Sequence, residues 1–238
     1  MLLSLPCYSS WFLIVLWLLF SFFFFYFFVL QTFAMSTKLI CLFCTLLFST
    51  IGLRLPAADY YSPYNSNLLL RMDNQLFDAV YDANSVETVP YKLMQGVTHF
   101  GDPVAVLGVC ALLTTYGNDD VRKTGKLLTS AFTLSALTIW SSKKIVGRRR
   151  PLDRLKKKEP PESFPSGHTN CAFVLATILS NRYPRWKIPL YCAAGLAGFS
   201  RIYLGRHYPL DVLAGALVGI SSTHLILKYK QPVLSWGF

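Results

Sequence analysis

Residues 200–219 read SRIYLGRHYPLDVLAGALVG. From Leu210 onward the stretch is apolar and small, and Gly215 and Gly219 stand at G-x-x-x-G spacing, which suits a helix lying close against another helix. Its one acid, Asp211, opens that helix and is the only acidic residue among the last 76, from Ser163 on. A lone carboxylate at the head of an apolar helix is costly unless it is paired. His207 stands four residues earlier. If the helix begins by that point, the two side chains share a face and the carboxylate can accept a proton from one ring nitrogen, leaving the other basic and aimed. The same pair would also serve as a helix-start contact with no chemistry.

Working outward, five apolar segments follow Asp102, at about 103–116, 127–146, 169–181, 188–205 and 209–227. Their spacing suggests an all-α bundle of about five core helices, read as membrane-embedded although several segments are short or interrupted by Ser and Thr, with one or two further apolar segments at the N-terminus. Segment 103–116 has only 14 residues, below the usual spanning length of about 20. Ala193, Ala194, Gly195, Ala197 and Gly198 offer a second small-residue surface for close packing.

Upstream of this core the chain changes character twice. Residues 59–101 are aromatic, polar and acidic, and Leu69, Met72, Leu76 and Val80 recur at intervals of three and four, predicting an amphipathic helix that covers the core or lies on lipid. The first 58 residues carry no acid and only two basic residues, Lys38 and Arg54. Residues 11–34 form an uncharged apolar run of 24, long enough to cross a bilayer. From Met35 a second pattern starts, with Lys38, the apolar run Leu39 to Leu53 and the small-residue end Ala57-Ala58, in the manner of a signal peptide or signal anchor. The expected divisions are therefore 1–34, an extension or extra span; 35–58, signal or anchor; 59–101, an extracytoplasmic segment; 102–228, the core; and 229–238, a tail.

The whole chain has 238 residues, 53% hydrophobic and 15% charged, with a formal net charge of +11, a balance that excludes disorder. The six cysteines lie in apolar stretches, and the C-x-x-C at Cys41 and Cys44 sits inside one, so neither a disulfide framework nor a zinc site is expected. If the five segments alternate across a membrane, 117–126, 182–187 and 228–238 share one side with eight basic residues, which should be the cytoplasm. The other ends, with 147–168, then face outward.

Two further clusters carry chemistry. Phe164-Pro165-Ser166-Gly167-His168 precedes an apolar segment, where free backbone N–H groups and the helix dipole form an anion cradle. Lys143 and Arg150, seven residues apart and followed by Pro151, can converge on one anion, although KKIVGRRRP also reads as a basic patch for lipid head groups. Arg149, Arg154 and Lys156 to Lys158 add further charge near by. His99 and His224 belong to no cluster and are read as structural.

In order, these elements are K-x6-R-P (Lys143, Arg150, Pro151), P-S-G-H (Pro165 to His168) and S-R-x5-H-x3-D (Ser200, Arg201, His207, Asp211). The set resembles the type 2 phosphatidic acid phosphatase (PAP2) superfamily, which includes lipid phosphate phosphatases, bacterial acid phosphatases and vanadium haloperoxidases. The resemblance covers about 102–228. It implies that His207 attacks phosphorus, that Asp211 orients it, that His168 protonates the leaving oxygen, and that Lys143, Arg150, Ser166, Gly167 and Arg201 hold the phosphoryl oxygens. A bilayer-facing, metal-independent phosphatase is implied, without a cofactor, acting on a lipid phosphate or isoprenyl diphosphate at the outer side of the cytoplasmic membrane, with membrane lipids and no nucleic acid as partners. A non-specific acid phosphatase and a lipid-linked phosphotransferase fit the same residues, and a vanadium haloperoxidase fits them less well because Lys143 to Asp211 spans only 69 residues.

Overall fold

A computed structural model describes residues 68–81, 88–151 and 162–235, all within the C-terminal of two units into which the chain divides at Leu53 and Arg54. The readings of 1–58 and of the basic run 152–158 lie outside the described residues. Those described are all-α. Helix α1 spans Leu68–Val80 and α2 spans Val89–Val97, followed by a 3-10 turn, Thr98–Gly101. Helices α3 (Pro103–Tyr116), α4 (Asp119–Val146), α5 (Gly167–Arg182), α6 (Lys187–Tyr203) and α7 (Pro209–Lys228) form the bundle, and a short α8 (Lys230–Ser235) ends it.

The five bundle helices match the five expected segments, with one displaced boundary. Helix α4 begins at Asp119, eight residues before the apolar run, because the Asn118 side chain accepts the Val121 N–H and Asp119 and Asp120 complement the positive helix end. A polar turn can be helical without being apolar. The helix ends at Gly147, in the left-handed region at φ 59°, whose N–H bonds the Lys143 carbonyl.

Helix α5 runs through the middle, packed against α3, α4, α6 and α7. Buried Cys171, Val174, Leu175 and Ile178 meet Val106, Leu128, Ala131 and Phe132, while Ala172 and Ala176 meet Ala194 and Ala197 of α6. The expected small-residue contacts are real. A Cβ on Gly215 would stand 2.4 Å from the Ser166 carbonyl oxygen, and one on Gly219 would stand 2.7 Å from that of Asn170. Backbone can approach backbone there only because both residues are glycine.

Helix α1 does cover the core, but not with the face that its apolar periodicity suggests. Leu70, Asp73 and Phe77 are buried, whereas Leu69, Met72 and Leu76 are exposed. An ion pair at Asp73 and ring contacts from Phe77 to Tyr81 and Tyr208, both at 5.3 Å between centroids, decide the orientation. Only Val80 of the expected stripe packs inward, against this aromatic group.

Among the described residues α7 alone is a helix long and apolar enough to cross a membrane by itself; residues 89–101 and 103–116, bent by 43°, pass the same test as a pair. Large apolar side chains nonetheless face outward around the bundle, including Val104, Leu112, Trp140, Ile188, Phe199, Leu213 and Leu217. The up-and-down order brings the start of α3, the end of α4, the start of α5, the end of α6 and the start of α7 to one end. Arg182 and Asp120, 3.4 Å apart, join the opposite ends of α5 and α4.

Candidate active site

At the first end, the chain leaving α6 turns back at Gly205, φ 68°, so that the N–H groups of Arg206 and His207 both donate to the Arg201 carbonyl, at 2.9 and 3.1 Å. That turn explains the spacing: five residues between Arg201 and His207 let the loop fold under its own helix end. Tyr208 then caps α7, donating its N–H to Asp211 Oδ2 at 2.9 Å, with Pro209 in the first turn where a missing N–H costs nothing.

His207 is 1% exposed and Asp211 is fully buried. The expected carboxylate–imidazole pair exists as a 3.7 Å approach of Nδ1 to Oδ2, longer than a hydrogen bond. Ser163 stands beside it, donating its hydroxyl to Asp211 Oδ2 at 2.5 Å and lying 3.3 Å from His207 Nδ1. Nδ1 is thus turned toward Ser163 and Asp211, and Nε2 is the nitrogen left for other chemistry.

The P-S-G-H turn is tied to the same place, because the Ser166 N–H donates to the Asp211 carbonyl at 2.9 Å. Its side chain is buried and caps α5, accepting from the Thr169 N–H at 3.4 Å and the Thr169 hydroxyl at 2.9 Å. Gly167 opens the helix. His168 follows, partly exposed, with Nε2 3.7 Å from Asp102 Oδ2. Asp102 caps α3 by accepting the Val104 and Ala105 N–H groups.

Three cations complete the group. Lys143 Nζ donates to the Glu162 carbonyl at 2.9 Å, while its neighbour Lys144 pairs with the Glu162 carboxylate at 2.6 Å. Arg201 donates to the Thr98 hydroxyl at 2.9 Å, and its buried Nε has no hydrogen-bond partner among the described residues. Arg150 and Arg201 act electrostatically on Lys143 and on both imidazoles. The eight residues singled out by sequence therefore gather at one end of the bundle.

Both histidines are neutral near pH 7. Burial, then the charges of Arg201 and Arg150, push His207 down to about 4 against the pull of Asp211. Burial also leads for His168, likewise pushed down to about 4, with Arg201, His207 and Arg150 lowering it and Asp102 opposing. A neutral buried imidazole next to cationic donors can attack an electrophile whose oxygens those donors hold. Among the described residues no group of three or more His, Cys, Asp or Glu side chains gathers in a way that would hold a metal. His99 and His224 are exposed and outside the cluster.

Sequence reasoning missed three residues here. Arg148, which the sequence offered only as part of the run KKIVGRRRP, is 2% exposed and donates to Asp211 Oδ1 at 2.6 Å and to Asp73 Oδ2 at 2.5 Å. Its guanidinium lies 3.8 Å from the Tyr208 ring centroid. Ser163 and Asp73 were not singled out at all. The helix-ending signal of Gly147 was available, and it is what separates Arg148 from the helix before it.

The sequence model of the PAP2 superfamily matches residues 123–234. An undecaprenyl-diphosphatase of Sulfolobus acidocaldarius is 32% identical over 155 residues, covering 58% of this chain and 74% of that protein. Among solved structures, Aquifex aeolicus LpxE superposes with a TM-score of 0.57 at 30% identity, covering 66% of this chain and 96% of that one. The transmembrane PAP2-type phosphatidylglycerolphosphate phosphatase of Bacillus subtilis gives 0.58 at 25% identity, covering 79% and 94%.

Proposed function

The chain belongs to the PAP2 superfamily and is a hydrolase of that superfamily, and from this premise we propose that it removes a terminal phosphate from a lipid phosphate or isoprenyl diphosphate through a phosphohistidine at His207. The observation that carries the reading is the environment of His207: its Nδ1 faces Ser163 and Asp211, which leaves Nε2 to attack, and Arg150 and Arg201 act on the same ring.

In the first half of the reaction, Nε2 bonds to phosphorus as the bond to the leaving oxygen breaks. His168, protonated once the dianionic phosphoryl group is bound, gives that oxygen its proton. Asp211 stabilises the positive charge that appears on the His207 ring. Lys143, Arg150, Arg201 and the amide N–H at Gly167 hold the three equatorial oxygens, where the charge of a phosphoryl transition state collects. In the second half, His168 takes a proton from water as its oxygen attacks phosphorus, and His207 is released with inorganic phosphate.

Two observations support a membrane-anchored substrate. The outward apolar side chains of α3, α4, α6 and α7 suit hydrocarbon better than water, and the Sulfolobus relative is an undecaprenyl-diphosphatase and the Bacillus one a phosphatidylglycerolphosphate phosphatase. The bundle is read as membrane-embedded, with the site at the outward end and the basic connections 117–126, 182–187 and 228–238 in the cytoplasm. The test is phosphate release in detergent with EDTA present, comparing phosphatidate, an isoprenyl diphosphate and p-nitrophenyl phosphate. Release from the lipids should vanish in His207→Ala together with an acid-labile phosphoenzyme. Turnover that survives in His207→Ala would refute the nucleophile, and release from the aryl ester alone would refute the lipid substrate.

A further inference from the structure

We propose that Asp73 and Arg148 are positioning residues for the reaction, a clamp by which helix α1 holds Asp211 and, through it, the His207 nucleophile; the inference rests on the reading of His207 and Asp211 given above. Arg148 offers its two terminal nitrogens to two carboxylates at once, NH1 to Asp211 Oδ1 at 2.6 Å and NH2 to Asp73 Oδ2 at 2.5 Å. All three side chains are at most 1% exposed. A planar fork can hold two carboxylates in fixed relation, which a lysine cannot do.

The clamp is built into the backbone on both sides. Asp73 Oδ1 accepts the Leu210 N–H at 2.8 Å, so α1 also holds the residue immediately before Asp211. The Arg148 carbonyl accepts the Ser163 N–H at 2.5 Å, and the Ser163 hydroxyl in turn donates to Asp211. The Tyr208 ring, next in sequence to His207, covers the guanidinium. Of the three donors to the Asp211 carboxylate, one is Arg148 itself, one is the Ser163 hydroxyl, a single bond away from Arg148, and the third is the Tyr208 N–H at the start of the same helix.

Charge explains why two carboxylates are needed. Asp211 with Arg148 alone would be a neutral pair and would offer little to a ring that becomes positive during transfer. With Asp73 sharing the guanidinium, the trio carries one net negative charge behind His207. Buried ions are expensive, and removing one partner leaves the others uncompensated, so a buried trio at this position needs a function as well as a fold.

The test uses the full chain in detergent. Asp73→Asn preserves shape and the acceptor for Leu210 but removes the charge. The expected result is a fall in kcat of about 10- to 100-fold, the scale for partners directly behind a reactive group, with KM changed less than about threefold. Phosphoenzyme formation should slow by the same factor with p-nitrophenyl phosphate and with phosphatidate, since attack rather than leaving-group protonation is impaired. Arg148→Lys, which keeps the charge without the fork, should lose kcat comparably, and Arg185→Ala, at an exposed side chain at the opposite end of the bundle, should lose none. A purely structural role would lower the thermal midpoint and leave kcat of the folded protein at the wild-type value, which would overturn the clamp. His207→Ala separates the two levels: turnover in that variant sinks the underlying reading, whereas wild-type kcat in Asp73→Asn beside an inactive His207→Ala sinks the clamp alone.

Discussion

As the proposed general acid His168 must give a proton that it does not hold at neutral pH, and the arrival of that proton can be measured. With a value near 4, about one His168 in a thousand is protonated at pH 7. Lifting that value to 7 requires ~4 kcal/mol of stabilisation of the imidazolium. A dianion about 4 Å away, at an effective dielectric near 20, supplies roughly 8 kcal/mol before its other partners are counted. Half of that is enough. Binding of a tetrahedral dianion that does not itself titrate, such as sulfate, should therefore draw in about one proton per site at pH 6. The sign follows from linkage: the bound form is protonated where the free form is not, so affinity should fall nearly tenfold between pH 5 and 6 and about fivefold between 6 and 7. Calorimetry in buffers of different ionisation heat reads the uptake directly, with His168→Asn as the comparison. Binding without proton uptake, or uptake that persists in His168→Asn, would refute the assignment of His168 as the acid.

Three further outcomes are expected. His168→Ala should slow transfer from phosphatidate by about 100-fold or more and from p-nitrophenyl phosphate far less, because an activated aryl oxide leaves without a proton; steady-state rates on the two esters decide it. Ser163→Ala removes the hydroxyl beside the 3.7 Å His207–Asp211 approach, and should reduce kcat by about tenfold with little change in KM, leaving one Asp211 oxygen a donor short. Gly215→Val places a side chain against the Ser166 carbonyl, 2.4 Å from the first carbon; it should lower the thermal midpoint by several degrees, equivalent to about 1–3 kcal/mol, and reduce activity by displacing the P-S-G-H turn.

The bundle was legible because its helices are long, apolar and separated by charged or proline-bearing connections, and hydrophobic periodicity reports such elements well. Boundaries were less so where a helix starts in polar sequence, as α4 does at Asp119. For α1 the periodicity of Leu69, Met72 and Leu76 marked an apolar face but left open whether it meets the core or lipid; the contact that orients the helix is Asp73 with a buried arginine, which leaves that face exposed. The site residues were legible as spacings because each motif is local and sits where a helix begins or ends. Ser163, Arg148 and Asp73 were not, since what defines them is contact between segments 48 to 75 residues apart, and no spacing rule encodes that.

The basic run KKIVGRRRP shows how one structural event distributes function among adjacent charges. Up to Val146 the backbone is helical, so Lys143 and Lys144 diverge by about 100°, one reaching toward the site and the other pairing at the surface with Glu162. Gly147 then ends the helix in a left-handed conformation that only glycine adopts without penalty. Past that turn the chain is no longer helical: Arg148 is buried against its two carboxylates, Arg149 is exposed, and Arg150 is half-buried where its charge acts on Lys143 and both imidazoles. The K-x6-R spacing is thus one turn of helix, a glycine and three non-helical residues rather than two turns of a continuous helix. A continuous helix would place Lys143 and Arg150 on one face, as the spacing alone suggests, but it would leave Arg148 about 200° away from Arg150 and unable to support Asp211 within the same site. The glycine is what allows one stretch of chain to furnish both Arg150, proposed above as a ligand for the phosphoryl group, and Arg148, the counter-ion of Asp211.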